Sequence, residues 1–212
     1  MLLSLASVCA SGSGKVSDVV GDKELYEFLI SLGTDEISHT GHDFLTHLKS
    51  VKSMLSEAGS DIEVTRAGLF HSIYGTEGFQ DFTLSLDERV RVRAVIGDRA
   101  EFTVFCNCVM DRSTFDAAIM VAGESCETLL EQQGPFEIRD RVHQSPISLT
   151  QVELRDLAEV HLFDWLEQVE RSDRGWEYRR DSYRRMAHLG GPRAMAAYDK
   201  VFGREEIARK PV

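Results

Sequence analysis

Several features that would assign this chain to a familiar class are missing from its sequence. No stretch approaches the roughly 20 consecutive apolar residues of a membrane-spanning helix, so we predict no membrane partner. Acidic residues outnumber basic residues, with 35 Asp and Glu and 24 Lys and Arg, which gives a formal net charge of −11. That balance argues against a protein whose main partner is nucleic acid or an anionic membrane surface.

Cysteine is also scarce. The four cysteines, Cys9, Cys106, Cys108 and Cys126, lack the CxxC spacing of redox and zinc motifs. A chain of 212 residues can bury a sizeable core and does not need disulfides to fold. We therefore expect reduced thiols and a cytoplasmic protein.

The N-terminal segment MLLSLASVCASGSG contains a short apolar run that is similar to the core of a signal peptide. No Lys or Arg precedes this run, however, and the first basic residue is Lys15. We predict a disordered leader over residues 1–20, with a targeting segment as the alternative.

Helical periodicity dominates the chain after residue 20. In DKELYEFLISLG the apolar residues recur at helical spacing, and Gly33 supplies the stop signal. Thr40 and Asp43 have the spacing of a capping pair for a second helix that ends at Gly59. A third helix is predicted from about residue 61 to residue 72.

The stretch after the third helix is ambiguous, because RVRVRAV alternates like a strand. Ser85 stands three residues before Glu88, and Asp98 three residues before Glu101, which is the spacing of helix start signals. We therefore predict two helices here. A further helix is predicted over residues 113–132, and a connection then begins at the Gly-Pro pair and runs through HQSPIS.

The clearest amphipathic pattern lies in LTQVELRDLAEVHLFDWLEQVER. Thr150 and Glu153 form a predicted capping box, and an apolar stripe continues from it at helical spacing: Leu154, Leu157, Ala158, Leu162, Trp165 and Val169. Farther on, GGP separates two short predicted helices that we expect to pack back on the core. The sequence thus predicts an all-α fold, with one helical domain over residues 21–172 and an Arg-rich helical extension over residues 173–212.

Two histidines and one aspartate lie at or beside the buried faces of three predicted helices. His47 is on the second helix, His71 is at the inner end of the third, and Asp164 is on the long helix. An unpaired buried carboxylate costs several kcal/mol, so Asp164 needs a cation or several donors. Together the three residues can hold a divalent metal, although a single histidine in such a position is more often a hydrogen-bonded core residue.

The segment from His47 to His71, HLKSVKSMLSEAGSDIEVTRAGLFH, resembles the core of the HD-domain superfamily. There a metal-binding His on one helix precedes an apolar helix that ends in a His-Asp pair. HLFDWLEQ is similar to the late helix that supplies the superfamily's final Asp. The resemblance extends over residues 39–170 and implies an HD-like domain with His47, His71 and Asp164 as metal ligands.

The sequence departs from the superfamily at Ser72, where the pattern has Asp. AGLFHSIYGTE is similar to an uncharacterised variant subgroup in which Ser follows the His. In dinuclear members the missing Asp bridges two metals, so the resemblance implies a single ion here. Two His and one carboxylate suit Fe, Mn, Co or Zn with positions left open for water.

Five other polar residues are candidates for roles around such a site. His39, Ser72 and Glu77 are candidate catalytic groups, with Glu77 as a general base. Tyr74 and His161 are candidate substrate contacts, and His161 is also close enough along its helix to orient Asp164. The alternatives are solvent-exposed positions for His39 and Glu77 and a core position for His161.

Arginines concentrate near the C-terminus. From Arg171 to Arg193 there are seven arginines and three acidic residues in an otherwise acidic chain. Arginine side chains suit phosphate or carboxylate ligands, but they more often form a solvated helix face paired with acids of the same protein.

The resemblance implies metal-dependent hydrolysis of a small phosphorylated molecule. One alternative is a mononuclear non-haem iron oxygenase that acts on a small polar substrate. The other is a non-catalytic ligand-binding or interaction module on an HD-like fold. The expected partner is a small anionic substrate rather than nucleic acid or a membrane.

Overall fold

The computed structural model of the chain describes residues 20–39, 42–123 and 135–205. Within those ranges the α-helices are α1 (Asp22–Ser31), α2 (Phe44–Glu57), α3 (Ile62–Phe70), α4 (Arg89–Ile96), α5 (Asp98–Val109), α6 (Arg112–Gly123), α7 (Gln151–Gln168), α8 (Arg180–Leu189) and α9 (Pro192–Phe202). Two small antiparallel pairs accompany them: β1 (Ser38–His39) with β2 (His42–Asp43), and β3 (Phe136–Arg139) with β4 (Pro146–Leu149). The predicted all-α class is confirmed.

Parts of three predicted segments lie outside the described residues. They are the leader, of which only Val20 is described, the end of the helix predicted over residues 113–132, and residues 206–212 of the C-terminal extension.

Helix α2 begins later than the sequence analysis predicts. Its N-cap is Asp43, whose carboxylate accepts a hydrogen bond from the backbone N–H of Thr46 at 2.8 Å. Thr40, the predicted cap, lies outside the described residues. The predicted pairing of Thr40 with Asp43 was therefore wrong in register, because an Asp at the N-cap satisfies the first free amides of the helix by itself.

The alternating stretch RVRVRAV forms helix α4, as predicted. The start signals were wrong in register, because Ser85 caps the short 3-10 turn Leu86–Glu88, and α4 and α5 follow Glu88 and Gly97 without a side-chain cap.

Arg89 and Arg93, one turn apart, both donate to the fully buried carboxylate of Glu101 on α5. In a strand these two arginines would be about 13 Å apart, too far to share one carboxylate.

The connection predicted after residue 134 was wrong, because it contains the β3–β4 hairpin. Asp140 organises its turn by accepting hydrogen bonds from the backbone N–H groups of Val142 and His143, at 2.7 and 3.0 Å. The four-residue strands FEIR and PISL offer too few alternating positions to be distinguished from coil in the sequence.

Helix α7 lies at the centre of the molecule. Its capping box of Thr150 and Glu153 is present, and the predicted apolar stripe is buried. Burial extends beyond the predicted stripe, however, because Asp156, Glu159 and His161 on other faces are buried too. Helices α2, α3, α5, α8 and α9 all pack against it, which leaves it almost no exposed face.

Helices α8 and α9, from the Arg-rich segment, share the core with the rest of the chain. Four of their large side chains belong to the same hydrophobic cluster as α2, α3 and α7: Tyr183, Met186, Tyr198 and Phe202. Along the parts of the chain that the structure describes, no helix has the length and apolar character needed to cross a membrane.

Candidate metal centre

Three predicted ligands converge in the core. The Nε2 atoms of His47 and His71 are 3.2 Å apart, and Oδ1 of Asp164 lies 3.2 Å from the first and 3.3 Å from the second. Both imidazoles are fully buried, whereas the Asp164 side chain is 13% exposed. The structure thus brings together residues from α2, the end of α3 and α7.

Gly68 allows α3 to pack closely against α2, which brings the two histidines together. His71 is the C-cap of α3, and Gly68 lies one turn earlier on the face that packs against α2. A Cβ at Gly68 would overlap Cδ1 of Leu55 on α2. Any side chain at this position would separate the two helices and, with them, the two histidines.

The remaining ring nitrogens fix both tautomers. His71 Nδ1 donates to the backbone carbonyl of Gly68 at 2.8 Å, and His47 Nδ1 donates to Oε2 of Glu167 at 2.6 Å. In their neutral forms both rings therefore direct the lone pair of Nε2 towards Asp164. Three hydrogen-bond acceptors then face one another, an arrangement that requires a cation or a proton between them.

The pKa values reflect this arrangement. Burial by itself lowers the pKa of His47, but its hydrogen bonds to Asp164 and Glu167 outweigh burial and raise the pKa to about 9. Burial raises the pKa of Asp164, yet the adjacent His71 and His47 hold it well below its usual range. The centre therefore strongly favours positive charge at its middle.

The donor set fits one divalent ion. A point equidistant from three atoms separated by 3.2–3.3 Å lies about 1.9 Å from each in their plane. Metal–nitrogen and metal–oxygen bonds of about 2.0–2.2 Å can therefore reach all three atoms from one side of that plane. Imidazole and carboxylate ligands suit Zn, Fe, Mn or Co.

Glu167 is a residue of the candidate centre that the sequence analysis missed. Besides holding His47, its Oε2 accepts a hydrogen bond from Nη2 of Arg171 at 2.5 Å. A carboxylate behind a ligating histidine orients the ring and makes it a better ligand. The available signal was its position three residues after Asp164, which places both carboxylates on neighbouring parts of one helix face.

His161 lies in a hydrogen-bond chain rather than at the centre itself. Its Nδ1 donates to Oδ1 of Asn107 at 3.0 Å, and Asn107 in turn donates to the backbone carbonyl of His71 at 2.8 Å. Its Nε2 accepts from Arg179 at 2.9 Å, and Arg179 also pairs with Asp116. Burial, together with the charge of Arg179, lowers the pKa of His161 well below its usual value. Both ring nitrogens are occupied, which leaves neither for a substrate.

A small cavity reaches the centre at Asp164 and Ser72. Its volume is about 140 Å³. The residues that line it are Ser72, Thr76, Gly78, Phe79, Arg112, Asp164, Trp165, Gln168, Ser172, Arg174, Tyr178 and Tyr183. Ser72 is thus in its wall, beside a ligand of the centre. A larger groove of about 840 Å³ between α2, α7 and α9 reaches Glu167 but none of the three ligands, so we assign the site to the smaller cavity.

Of the remaining predicted site residues, Glu77 and Tyr74 do not line this cavity. Glu77 is exposed and accepts a hydrogen bond from the backbone N–H of Arg112 at the start of α6, at 2.9 Å. The hydroxyl of buried Tyr74 donates to Glu101 at 3.2 Å, on the side where α4 and α5 meet. His39 belongs to β1, and its side chain lies outside the described part of the chain.

Comparison with known proteins gives one match. The model of a family described as a domain of unknown function (DUF6817) matches residues 28–112, which include His47, His71 and Ser72 but not Asp164. No curated protein and no solved structure matches the chain.

Proposed function

We propose that the chain is a metal-dependent hydrolase that acts on a small phosphorylated molecule, with one divalent ion held by His47, His71 and Asp164. The observation that carries this proposal is the convergence of three acceptor atoms within 3.3 Å of one another in a buried site. The resemblance to HD-domain proteins supports it, because the same three positions were selected from the sequence alone.

The protein's own residues define what the site can do. A bound divalent ion would supply positive charge to polarise a phosphoryl oxygen and to lower the pKa of a water molecule. Glu167 and the carbonyl of Gly68 fix the ligand rings, so the site is organised before a substrate arrives. Ser72 lines the cavity beside Asp164 and is available to hydrogen-bond a substrate oxygen.

A mononuclear iron oxygenase is the second candidate. Ser72 replaces the carboxylate that would bridge a second metal, and two His with one carboxylate form the donor set of non-haem iron(II) oxygenases. Oxygen dependence separates the two candidates, because hydrolysis consumes water and does not consume oxygen.

The test is turnover by metal-reconstituted protein. Wild type, Asp164→Asn and Glu170→Gln are each loaded with Mn, Fe(II), Co or Zn and assayed for phosphate release from a panel of small phosphate esters, with and without oxygen. Glu170→Gln is the matched control, since Glu170 follows α7 closely but pairs with Arg204 at the surface. We expect release by wild type and the control, independent of oxygen, and none by Asp164→Asn. Equal activity in Asp164→Asn, or no release with any metal, would contradict the proposal.

For location, we retain the expectation of a cytoplasmic protein. Cys106 and Cys108 are free and buried in the core, and burial raises the pKa of both thiols. Buried reduced thiols suit a reducing compartment.

A further inference from the structure

Two arginines of the cavity wall have no ion-pair partner in the part of the chain that the structure describes. Several arginines of this acidic chain pair closely with acids, as Arg99 does with Asp156 and Arg179 with Asp116. Arg112 and Arg174 line the cavity beside Asp164. Neither guanidinium forms an ion pair with a carboxylate of the described residues, and Asp164 is the acidic residue that lines the same cavity. Their charges are therefore available to an anion that enters the cavity.

Arg112 is held at the cavity wall by close contact with a glycine. It begins α6, and its backbone N–H is fixed by Glu77. A Cβ on Gly78 would lie 3.0 Å from both Nη1 and Nη2 of Arg112. Gly78 itself lines the cavity, so its missing side chain leaves the space that the guanidinium occupies.

Arg174 is positioned by two other residues of the cavity wall. Its guanidinium carbon lies 4.6 Å from the centre of the Tyr178 ring, in a cation–π contact. Its backbone N–H donates to the hydroxyl of Ser172 at 3.3 Å. Both contacts leave the guanidinium hydrogens free to bind an anion.

The charge of Arg112 extends to the inner wall of the cavity. Burial raises the pKa of the Tyr183 hydroxyl, the charge of Arg179 opposes that rise, and the charges of Asp164 and Arg112 act on the pKa in opposite directions. Tyr183 stacks on Trp165, with ring centres 5.3 Å apart, and both rings line the cavity. The aromatic wall thus lies within the field of Arg112 as well as that of Asp164.

We propose that Arg112 and Arg174 bind the terminal phosphoryl group of a phosphate monoester in this cavity. This assignment rests on the proposed function. It goes further by naming the substrate class, a phosphate monoester. Two arginines suit the dianionic charge of a monoester better than the single charge of a diester. A cavity of about 140 Å³, walled by Phe79, Trp165 and Tyr183, takes a phosphoryl group but leaves little room for substituents on two sides.

The test measures anion binding in metal-free protein, so that its outcome does not depend on activity. Inorganic phosphate is titrated by calorimetry into wild type, Arg112→Met, Arg174→Met and Gly78→Ala. Arg184→Met is the matched control, because Arg184 is an exposed arginine of the same C-terminal segment that does not line the cavity. Gly78→Ala leaves the net charge unchanged and displaces the Arg112 guanidinium.

We expect the dissociation constant of phosphate to rise about tenfold or more in Arg112→Met and Arg174→Met, and to rise in Gly78→Ala. It should stay unchanged in Arg184→Met. Methyl phosphate should displace inorganic phosphate, and dimethyl phosphate should not. Equal phosphate affinity in wild type and both arginine variants overturns the assignment, as does equal displacement by the diester.

Together with a measurement of metal binding by wild type, this titration separates the two proposals. If wild type binds no divalent metal but its phosphate binding depends on both arginines, the proposed function fails and the anion site stands. If wild type binds metal and the arginine variants match its phosphate affinity, the anion site fails and the proposed function stands.

Discussion

At the scale of single residues, Glu167 links the centre to the outside of α7. Its carboxylate accepts hydrogen bonds from His47 at 2.6 Å and from Arg171 at 2.5 Å, so one side chain orients a ligand and is itself held in place. Arg171, whose side chain is partly exposed, ends this hydrogen-bond chain at the protein surface. Changes at Glu167 should therefore alter the centre without removing any ligand.

The Glu167→Gln substitution tests this positioning role. We expect the affinity for divalent metal to fall about 10–100-fold, because a neutral amide makes His47 a weaker and less well oriented ligand. Competition with a chelating dye measures the affinity. Glu170→Gln should bind metal as wild type does, and an affinity unchanged in Glu167→Gln would show that Glu167 has no part in the site.

The three candidate ligands could be predicted from the sequence more readily than the residues around them. His47, His71 and Asp164 stand at or beside predicted buried faces, where a titratable side chain calls for an explanation. Glu77 and Tyr74 are predicted site residues because they are near His71 in sequence. In the structure, however, Glu77 accepts a hydrogen bond from the backbone of Arg112, and Tyr74 donates one to Glu101. Neighbours in sequence need not share a site, whereas His47 and Glu167 meet across 120 positions.

At the scale of elements, Arg179 joins the segment before α8 to the centre of the fold. It donates to Asp116 on α6 and to His161 on α7, and His161 continues through Asn107 to the carbonyl of His71. The residue has a left-handed backbone conformation, with φ of 48°, which the surrounding contacts must stabilise.

We expect Arg179→Met to lower the free energy of unfolding by about 2 kcal/mol. The change leaves Asp116 and Nε2 of His161 without their donor, and the cost is moderated because the Asp116 side chain is partly exposed. Urea unfolding measures the change. Arg184→Met, an exposed position on α8, should unfold like wild type, and an equal loss in both variants would contradict this account.

The β3–β4 hairpin should give a pH-dependent contribution to stability. Burial raises the pKa of Asp140, but hydrogen bonds from the His143 side chain and from the backbone of His143 and Val142 outweigh burial and lower the pKa. A lowered pKa in the folded state contributes stability above the unfolded value of about 3.9, and that contribution is lost as the pH falls through the folded value.

The corresponding substitution is Asp140→Asn. It should destabilise the protein by about 1 kcal/mol at neutral pH, and the difference from wild type should shrink below about pH 4. Unfolding curves recorded from pH 3 to pH 8 test this. Glu137→Gln, at an exposed carboxylate of the same hairpin, is the control. A difference that does not change with pH would rule out the Asp140 carboxylate as its cause.

The starts of α3 and α7 could be predicted because their signals are local. The capping box of Thr150 and Glu153 and the N-cap of α3 at Asp61 involve residues within three positions of each other. The β3–β4 hairpin could not be predicted in this way. Phe136 and Ile138 become strand residues by pairing with Leu149 and Ile147, which lie farther along the chain. The central position of α7 likewise depends on which helices surround it.

At the scale of the whole molecule, a metal that joins α2, α3 and α7 should stabilise the entire fold. The three candidate ligands come from helices that meet only in the folded state, so the unfolded chain lacks the site. Binding and folding are then linked, and the melting temperature should rise with metal concentration.

We expect the melting temperature to rise by about 5–10 °C when free metal is about 100-fold above its dissociation constant, a stabilisation of about 2.7 kcal/mol. Calorimetry of chelator-treated protein, before and after metal is returned, measures the shift. Asp164→Asn should show little or no shift. An equal shift in that variant would mean that the metal binds elsewhere.

The most direct test of the central claim is the metal content of the protein itself. Protein expressed without an affinity tag is analysed by elemental mass spectrometry as wild type, His47→Ala, Asp164→Asn and Glu170→Gln. We predict about one equivalent of iron, manganese, cobalt or zinc in wild type and Glu170→Gln, and its loss in the two ligand variants. Metal-free wild type that also takes up none of these ions, or ligand variants that retain full occupancy, would contradict the account.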